Sequence, residues 1–213
     1  MKYKHIIWDW NGTLLNDVDA CVEVVDGLMK QRKLGQLTIG RYKEDVDFPI
    51  IDFYTQLGFD FSKESYDALV HEYIETYLVK LGQCQLQVGA IETLEKLSKV
   101  GFSQSVLSAY NHQLLVDAVE SFGLSHFFTD LVGLNDYYAH SKVDNGKKWI
   151  ENSHFDRSEI LFVGDMLHDF EVATEMGVDV VLLSCGHQSR GKLEATGAKV
   201  LTGMAELLVF LLK

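Results

Sequence analysis

Six short runs of β-branched and aliphatic residues recur along the chain and predict buried strands. Most of them are almost continuously apolar, as in strands that are covered on both faces of a parallel sheet, rather than alternating between apolar and polar. The predicted strands are residues 3–9, 103–108, 129–133, 160–164, 178–184 and 198–201.

Helical patterns separate most of the later strands and give the chain an alternating order. They cover residues 90–100, 112–122, 146–152, 169–176, 191–196 and 204–212. Several stop at a glycine, which commonly ends a helix before a strand. This alternation predicts an α/β fold, in which a Rossmann-like parallel sheet is wound in right-handed crossovers.

The segment between the first two strands of this sheet breaks the alternation. It holds four consecutive helical patterns and, between the second and third of them, the only proline of the chain, Pro49. The four patterns are residues 18–32, 39–46, 50–57 and 63–81. We therefore predict an all-helical cap domain at residues 16–86, inserted into a Rossmann-like core made of residues 1–15 and 87–213.

Charge and composition narrow the choice of partners. The 213 residues include 31 acidic and 19 basic side chains, which gives a formal net charge of −12. This excess disfavours nucleic acid and anionic membranes as partners, because phosphate backbones are held by clustered Lys and Arg. Three widely spaced cysteines, no secretory signal and no apolar run of ~20 residues lead us to expect a cytoplasmic protein.

Polar segments follow the predicted strands, where an open parallel sheet binds its ligands. One follows the first strand, one the second and one the fourth, and another lies between the third and the fourth. In that order, these segments are residues 9–13, 108–111, 164–169 and, between the third and fourth strands, 141–144. Aspartates stand in the first and third of them and Lys142 in the last, so these charged side chains are the candidates for chemistry at this edge.

The four segments, read along the chain, resemble the four motifs of the haloacid dehalogenase superfamily. The resemblance covers the whole chain and includes the helical cap of the branch that is similar to phosphoglycolate phosphatase. It implies a Mg²⁺-dependent phosphatase that acts on a small phosphorylated metabolite, as a monomer or a homodimer. In this chemistry Asp9 attacks phosphorus and forms an aspartyl-phosphate, which divides one difficult displacement into two easier ones.

The remaining roles follow from the same resemblance and from the chemistry of each side chain. Lys142 and Ser108 would hold the phosphoryl oxygens, and Arg41 of the cap would hold a second anionic group. The predicted catalytic residues are Asp9, Asn11 and Lys142. The predicted metal ligands are Asp9, Asn11 (through its main-chain carbonyl), Asp165 and Asp169. The predicted substrate contacts are Gly12, Thr13, Ser108, Ala109, Lys142 and Arg41.

Asn11 departs from the family pattern and leaves several functions open. Phosphatases of the superfamily usually carry a second aspartate there as the general acid and base, a role that an amide cannot fill and that is worth ~10²–10⁴-fold in rate. The chain is then a phosphatase that tolerates Asn11, an impaired relative that binds a phosphorylated ligand, or a carbon–phosphorus or carbon–halogen hydrolase. Deamidation at the Asn11-Gly12 step would restore the usual aspartate.

Three local patterns have simpler interpretations. Asn11-Gly12 between apolar runs is also typical of a β-hairpin, here over residues 8–15. Cys185 and His187 are adjacent enough to suggest a metal pair, but they lack further ligands nearby, so we expect an ordinary loop. His168, between two aspartates of the last motif, is expected to be a solvated loop histidine.

Overall fold

Strands form where the sequence is most continuously apolar. A computed structural model describes residues 2–138 and 141–213 of the chain. Its strands are β1 (His5–Trp8), β2 (Leu15–Asn16), β3 (Gln85–Leu86), β4 (Ser103–Asn111), β5 (Asp130–Leu134), β6 (Ile160–Gly164), β7 (Asp179–Leu183) and β8 (Lys199–Leu201). Six of them form one sheet in the order β5-β4-β1-β6-β7-β8, and all of its pairs are parallel.

The strand order reverses at β1, which places a crevice there. From β1 the chain proceeds to β4 and β5 on one side, and then returns to β6, β7 and β8 on the other side. A reversal of this kind leaves an opening beyond the carboxyl ends of the central strands. The residues that directly follow β1 and β6 therefore share one edge of the sheet.

Helices cover both faces of the sheet and complete the predicted α/β fold. In chain order the helices are α1 (Val18–Gln31), α2 (Ile39–Asp45), α3 (Ile50–Gln56), α4 (Tyr66–Leu81), α5 (Ala90–Lys99), α6 (His112–Ser121), α7 (Val143–Asn152), α8 (Leu167–Met176), α9 (Arg190–Glu194) and α10 (Met204–Leu211). Side chains of α5, α6 and α10 pack on one face of β1 around Trp8, and those of α7 and α8 pack on the other face around Ile7. None of these helices is both long enough and apolar enough for a bilayer span.

Helices α1–α4 form an insertion with a hydrophobic cluster of its own. This helical insertion buries residues such as Leu28, Phe53 and Leu69 among its own helices. The chain enters it after β2 and leaves it before β3, and these two strands pair antiparallel through Leu15 and Leu86. This short ribbon, which the sequence pattern does not predict, holds the two ends of the insertion side by side.

Several element boundaries differ from the predictions. Strand β4 continues to Asn111 instead of ending at 108, and its register shifts between Leu107 and Asn111. Helices α7 and α8 begin earlier than expected, directly after Lys142 and Met166, and α4 begins later. The hairpin interpretation of residues 8–15 is wrong, because β1 pairs parallel with strands on both sides.

Candidate active site

Three aspartates and one lysine meet in the crevice beyond β1. Asp9 follows β1, Asp165 follows β6, Asp169 lies in the first turn of α8, and Lys142 directly precedes α7. Carboxylate oxygens of the three aspartates lie within 4.8 Å of one another, and all three residues are buried. We call these four residues the carboxylate–lysine cluster.

Lys142 joins the members of this cluster. Its side chain is 2% exposed, and Nζ donates to Asp9 Oδ1 and pairs with Asp169 Oδ1 at 2.7 Å. Nζ also donates to the main-chain carbonyl of Leu107 at 3.0 Å. Lys142 thus holds one oxygen of Asp9, while Asp9 itself borders the cavity described below.

Asp165 and Asp169 are fixed by neighbouring donors. Thr13 Oγ1 donates to Asp165 Oδ1 at 2.7 Å, and the main-chain N–H of His187 donates to Oδ2 at 2.6 Å. Asp169 Oδ2 accepts the main-chain N–H groups of Asp165 and Met166, both at 2.9 Å. Since its other oxygen binds Lys142, Asp169 orients the lysine and the turn after β6.

The charges of the carboxylate–lysine cluster do not balance. Burial raises the pKa of Asp9 to about 8 although Lys142 opposes the shift, and burial raises the pKa of Asp165 to about 6. Burial would also raise the pKa of Asp169, but the ammonium of Lys142 holds it below the usual range. Three buried carboxylates facing one ammonium form an oxygen-rich, anionic donor set of the kind that suits a hard divalent cation such as Mg²⁺.

Two glycines let the backbone pass close to Asp165. Gly12 has φ +77°, and a Cβ there would collide with the Asp165 carboxylate and the His187 ring. At Gly186 a Cβ would collide with Asp165 as well. Gly12 was a predicted substrate contact, but its N–H donates to Asp17 Oδ1 at 2.9 Å, so the structure assigns this group to the protein itself.

A second polar cluster binds the side-chain amide of Asn11. Its Nδ2 donates to Asp17 Oδ2 at 2.8 Å and to the Tyr77 hydroxyl at 2.9 Å. The Tyr77 hydroxyl donates in turn to Asp17 Oδ2 at 2.7 Å, so it presents only its oxygen lone pairs to Asn11. Both partners therefore require a donor, which places the amide nitrogen on this side. We call Asn11, Asp17, Tyr77 and His187 the Asn11 clamp.

His187 balances the charge of Asp17 in this clamp. Its Nε2 lies 3.3 Å from Asp17 Oδ1, and its Nδ1 lies 2.9 Å from the Tyr42 hydroxyl of α2. Burial would lower the pKa of His187, but the Asp17 carboxylate raises it to about 9. Burial would likewise raise the pKa of Asp17, which the His187 charge holds below its usual range. The clamp is thus an ion pair with no net charge.

The clamp also bears on the deamidation hypothesis. Deamidation requires the Gly12 nitrogen to attack the side-chain amide carbon of Asn11. Asp17 accepts hydrogen bonds from both the Gly12 N–H and the Asn11 amide, so both reacting groups are bound within the protein. Deamidation of Asn11 stays a prediction.

Of the other predicted substrate contacts, some lie at the site and one does not. Ser108 and Ala109 line the cavity, and Ser108 Oγ accepts the main-chain N–H of Tyr110 at 3.1 Å. Thr13 is buried against Asp165. Arg41 is not brought to the site: its side chain is 43% exposed and Nε pairs with Asp45 at 3.1 Å, one helical turn away.

Two histidines occupy positions that the sequence pattern did not indicate. His168 is buried in α8 rather than solvated in a loop, so that expectation is wrong; its ring stacks on Phe48 at 4.3 Å. The segment around Cys185 is a loop, as expected, but His187 within it is buried in the clamp. A lone histidine carries no local signal of its partner, because Asp17 and Tyr42 come from distant parts of the chain.

A cavity of about 170 Å³ opens between the sheet edge and the helical insertion. Its floor includes Asp9, Asn11, Ser108 and Lys142, and α1–α4 with the segment before α3 supply much of the wall. The carboxylate–lysine cluster and the Asn11 clamp both border this cavity. A ligand in it would touch the carboxylate of Asp9 on one side and the insertion on the other.

The chain resembles known proteins along most of its length. The chain is 23% identical over 195 residues to a phosphoglycolate phosphatase of Aliivibrio fischeri, which covers 86% of this chain and 85% of the relative. A predicted phosphatase from Clostridium acetobutylicum has the same fold, with a TM-score of 0.82 and 18% identity over 100% of this chain and 99% of its own.

The fold is also shared by a differently named protein. Protein tyrosine kinase A of Mycobacterium tuberculosis superposes with a TM-score of 0.80 and 20% identity, over 99% of this chain and 98% of its own. A structural likeness at such low sequence identity shows that the proteins share a fold and shows nothing of their function. The family model of the haloacid dehalogenase-like hydrolases, a sequence pattern, matches residues 6–183. With that match over most of its length, this chain belongs to the haloacid dehalogenase-like hydrolase family.

Proposed function

We propose that the protein hydrolyses a small phosphomonoester, with Asp9 as the nucleophile. The observation that carries this proposal is the position of Asp9: it is buried at the strand-order reversal, held by Lys142, and borders the cavity. Family membership supports a hydrolase, and the relative named phosphoglycolate phosphatase supports phosphomonoesters as the substrate class.

The charge imbalance of the carboxylate–lysine cluster supports Mg²⁺ as the cofactor. Asp9, Asp165 and the main-chain carbonyl of Asn11 would hold the ion, and Asp169 would fix Lys142 beside it. A bound Mg²⁺ supplies positive charge between the anionic nucleophile and the anionic phosphoryl group. Lys142 and Ser108 add a charge and a hydroxyl to hold the phosphoryl oxygens.

The proposed reaction has two steps. An oxygen of Asp9 attacks phosphorus, the bond from phosphorus to the leaving oxygen breaks, and an aspartyl-phosphate forms on Asp9. Water then attacks this phosphorus, which releases inorganic phosphate and restores the carboxylate. Every described side chain in this scheme belongs to one chain, so a monomer or a homodimer satisfies it equally.

The helical insertion, within residues 16–86, serves in this proposal as a cap. Its contacts with the loop after β7 support that role: Gln188 Nε2 donates to the carbonyl of Val46 at 2.8 Å, and the N–H of Ser189 donates to that of Lys43 at 3.1 Å. A cap closed in this way excludes water from the reacting groups and limits the substrate to a small molecule.

One observation favours a second candidate function, the binding of a phosphorylated ligand without turnover. Both N–H groups of the Asn11 amide are already bound by Asp17 and Tyr77. An amide cannot protonate a leaving group or activate water, and with both N–H groups bound Asn11 has no hydrogen bond left to donate to the substrate either. The site would therefore hold a phosphoryl group more readily than it would cleave one.

Phosphate release separates the two functions. Wild type, Asp9→Asn and the matched control Asp19→Asn, an exposed aspartate of α1, are assayed with Mg²⁺ on a mixed panel of small phosphomonoesters. We expect Asp9→Asn to lose at least about 10³-fold, since loss of a nucleophile abolishes the covalent route. Equal rates for wild type and Asp9→Asn would refute the proposal. Calorimetric binding of inorganic phosphate by a wild type that releases none would establish the binding function.

A further inference from the structure

The wall of the cavity is apolar and rich in aromatic rings. The insertion and the end of β4 contribute aliphatic and aromatic side chains to it, several of them in contact with one another. Wall residues of this kind include Phe48, Phe53, Tyr54, Tyr66, Ile74 and Tyr110. Such a surface binds an organic group by burying its apolar area and by ring stacking.

The same wall lacks a cation for an anionic substrate group. Among the described residues that line the cavity, Lys142 is the only lysine or arginine, and it pairs with Asp9 and Asp169 and faces the phosphoryl group in the proposed reaction, so it is not free for a second anionic group. His187 is paired with Asp17. His168 Nε2 accepts the main-chain N–H of Lys142 at 3.3 Å. A carboxylate on the substrate would therefore be buried without a free cation, with a hydroxyl such as that of Tyr110 as its best partner, which is costly for a full charge.

Asn11, on the floor of the cavity, supplies no proton for the leaving oxygen. The Asn11 amide has given both of its N–H groups to Asp17 and Tyr77. Asp17 accepts from Gly12, Asn11 and Tyr77 and lies beside His187, so both of its oxygens are occupied by partners within the protein. An alkyl ester, whose leaving oxygen must be protonated, loses the ~10²–10⁴-fold that a general acid supplies. An ester whose leaving oxygen departs as a stable anion needs no general acid and does not lose this factor in rate.

Since these observations converge, we propose that the substrate is the phosphate monoester of a neutral phenol. This inference rests on the proposed phosphatase function and names its substrate class. Asp9 attacks phosphorus and the aryl oxygen leaves as a phenolate. Water then cleaves the aspartyl-phosphate to inorganic phosphate, and the proton released from that water is taken up by the phenolate or the solvent. The cavity of about 170 Å³ is similar in size to a cavity of ~150 Å³ that holds benzene, so one ring fits it.

Four phosphate compounds separate the two elements of the inference. Phenyl phosphate has both an aromatic ring and an acidic leaving group. Benzyl phosphate has a ring but an alkyl leaving group, and acetyl phosphate has an acidic leaving group but no ring. Phosphoglycolate has neither a ring nor an acidic leaving group, and it carries a carboxylate. With Mg²⁺ and after subtraction of the uncatalysed rate, we expect kcat/KM for phenyl phosphate to exceed that for phosphoglycolate by at least about 10²-fold, with the other two between them.

A matched pair of variants tests the neutral wall on one helix. Ile74 lines the cavity from α4, whereas Val79 on the same helix is 75% exposed and does not line it. Ile74→Lys is expected to lower kcat/KM for phenyl phosphate and raise that for phosphoglycolate, because it introduces a cation beside the substrate. Val79→Lys is expected to change neither, which controls for the added charge and for helix stability.

Each outcome distinguishes this inference from the proposed function. Turnover of phosphoglycolate as fast as phenyl phosphate, or an unchanged preference in Ile74→Lys, overturns the inference and leaves the phosphatase in place. If benzyl phosphate is cleaved as fast as phenyl phosphate, the site does supply an acid for the leaving oxygen. If acetyl phosphate is cleaved as fast as phenyl phosphate, the site does not recognise the ring. Either result also overturns the inference. No turnover of any compound by wild type, with Asp9→Asn indistinguishable from it, defeats the proposed function itself.

Discussion

The carboxylate–lysine cluster and the Asn11 clamp lie on the same edge of the sheet, both buried, and differ in charge balance. The first sets three carboxylates against one ammonium, and the pKa of Asp9 rises to about 8 as a result of its burial. The second sets one carboxylate against one imidazolium, at 3.3 Å. A buried charge must be paired or neutralised, so the first cluster takes up either a cation or a proton, whereas the second needs neither.

This difference separates two sets of potential metal ligands. Atoms of Asp17, Cys21 and His187 also lie within 4.8 Å of one another, as closely as the three aspartates do. Their charges are already satisfied, and both nitrogens of His187 have partners. Proximity of ligand atoms does not distinguish the two sets, and the uncompensated charge is what favours the three aspartates as the proposed metal site.

Removing the ammonium of the carboxylate–lysine cluster is expected to have the largest effect. Lys142→Met leaves three buried carboxylates without a partner and should lower the free energy of unfolding by about 3–5 kcal/mol. Mg²⁺ should raise the stability of this variant more than that of wild type, because the ion replaces the missing charge. Urea unfolding with and without Mg²⁺ measures both quantities. A variant as stable as wild type without Mg²⁺ would contradict the charge argument.

A histidine outside both clusters sharpens the contrast with His187. His5 is buried between Trp149 and Phe155, and burial lowers its pKa to about 4, an effect that the charge of Asp130 opposes only in part. The unfolded chain takes up this proton near pH 6.5, whereas the folded chain does so only near pH 4. Stability should therefore fall as the pH decreases from 6.5 to 4, by about 3 kcal/mol in total. His5→Phe should flatten the pH dependence of urea unfolding in that window, and an unchanged slope would argue against a neutral His5.

Adding a charge to the clamp tests its balance directly. Asn11→Asp replaces an amide donor by a carboxylate beside Asp17 Oδ2, so it should destabilise the protein by about 1–3 kcal/mol. The reciprocal change Asp17→Asn in the same chain should restore part of this loss. A double-mutant cycle by urea unfolding is expected to give a coupling of about 0.5–3 kcal/mol. Additive effects of the two substitutions would show that the clamp is not a unit.

The smallest effect is expected at the outer contact of the clamp. Tyr42→Phe removes only the hydroxyl at 2.9 Å from His187 Nδ1 and should cost about 1 kcal/mol. Tyr77→Phe removes a group bound to both Asn11 and Asp17, so its cost should be larger. Equal costs, measured by urea unfolding, would mean that Tyr77 does not hold Asn11 in place.

Asp9 and Asp165 were predictable from the apolar pattern because each directly follows a strand, whereas Lys142 and Asp169 were assigned through the family resemblance. Asp9, Lys142, Asp165 and Asp169 each stand close to the start or the end of a regular element. Arg41 had a signal that argued against its predicted role, since Asp45 one turn away offers an ion pair on the same helix.

The clamp was not predictable, because its residues meet only through tertiary packing. Asp17 precedes α1 and has the residue type of a helix cap, yet it makes no side-chain cap bond and turns to Gly12 and Asn11 instead. Tyr77 comes from α4 and His187 from the loop after β7. No local pattern joins three such segments, so the partner of Asn11 required the fold.

Calorimetric titration with Mg²⁺ tests the central claim, that the unbalanced cluster binds the cation and the balanced one does not. Wild type and Cys21→Ser are expected to bind one Mg²⁺ with similar affinity, whereas Asp165→Asn is expected to lose binding. Binding that survives Asp165→Asn but is lost in Cys21→Ser would place the ion beside Asp17 and contradict the account.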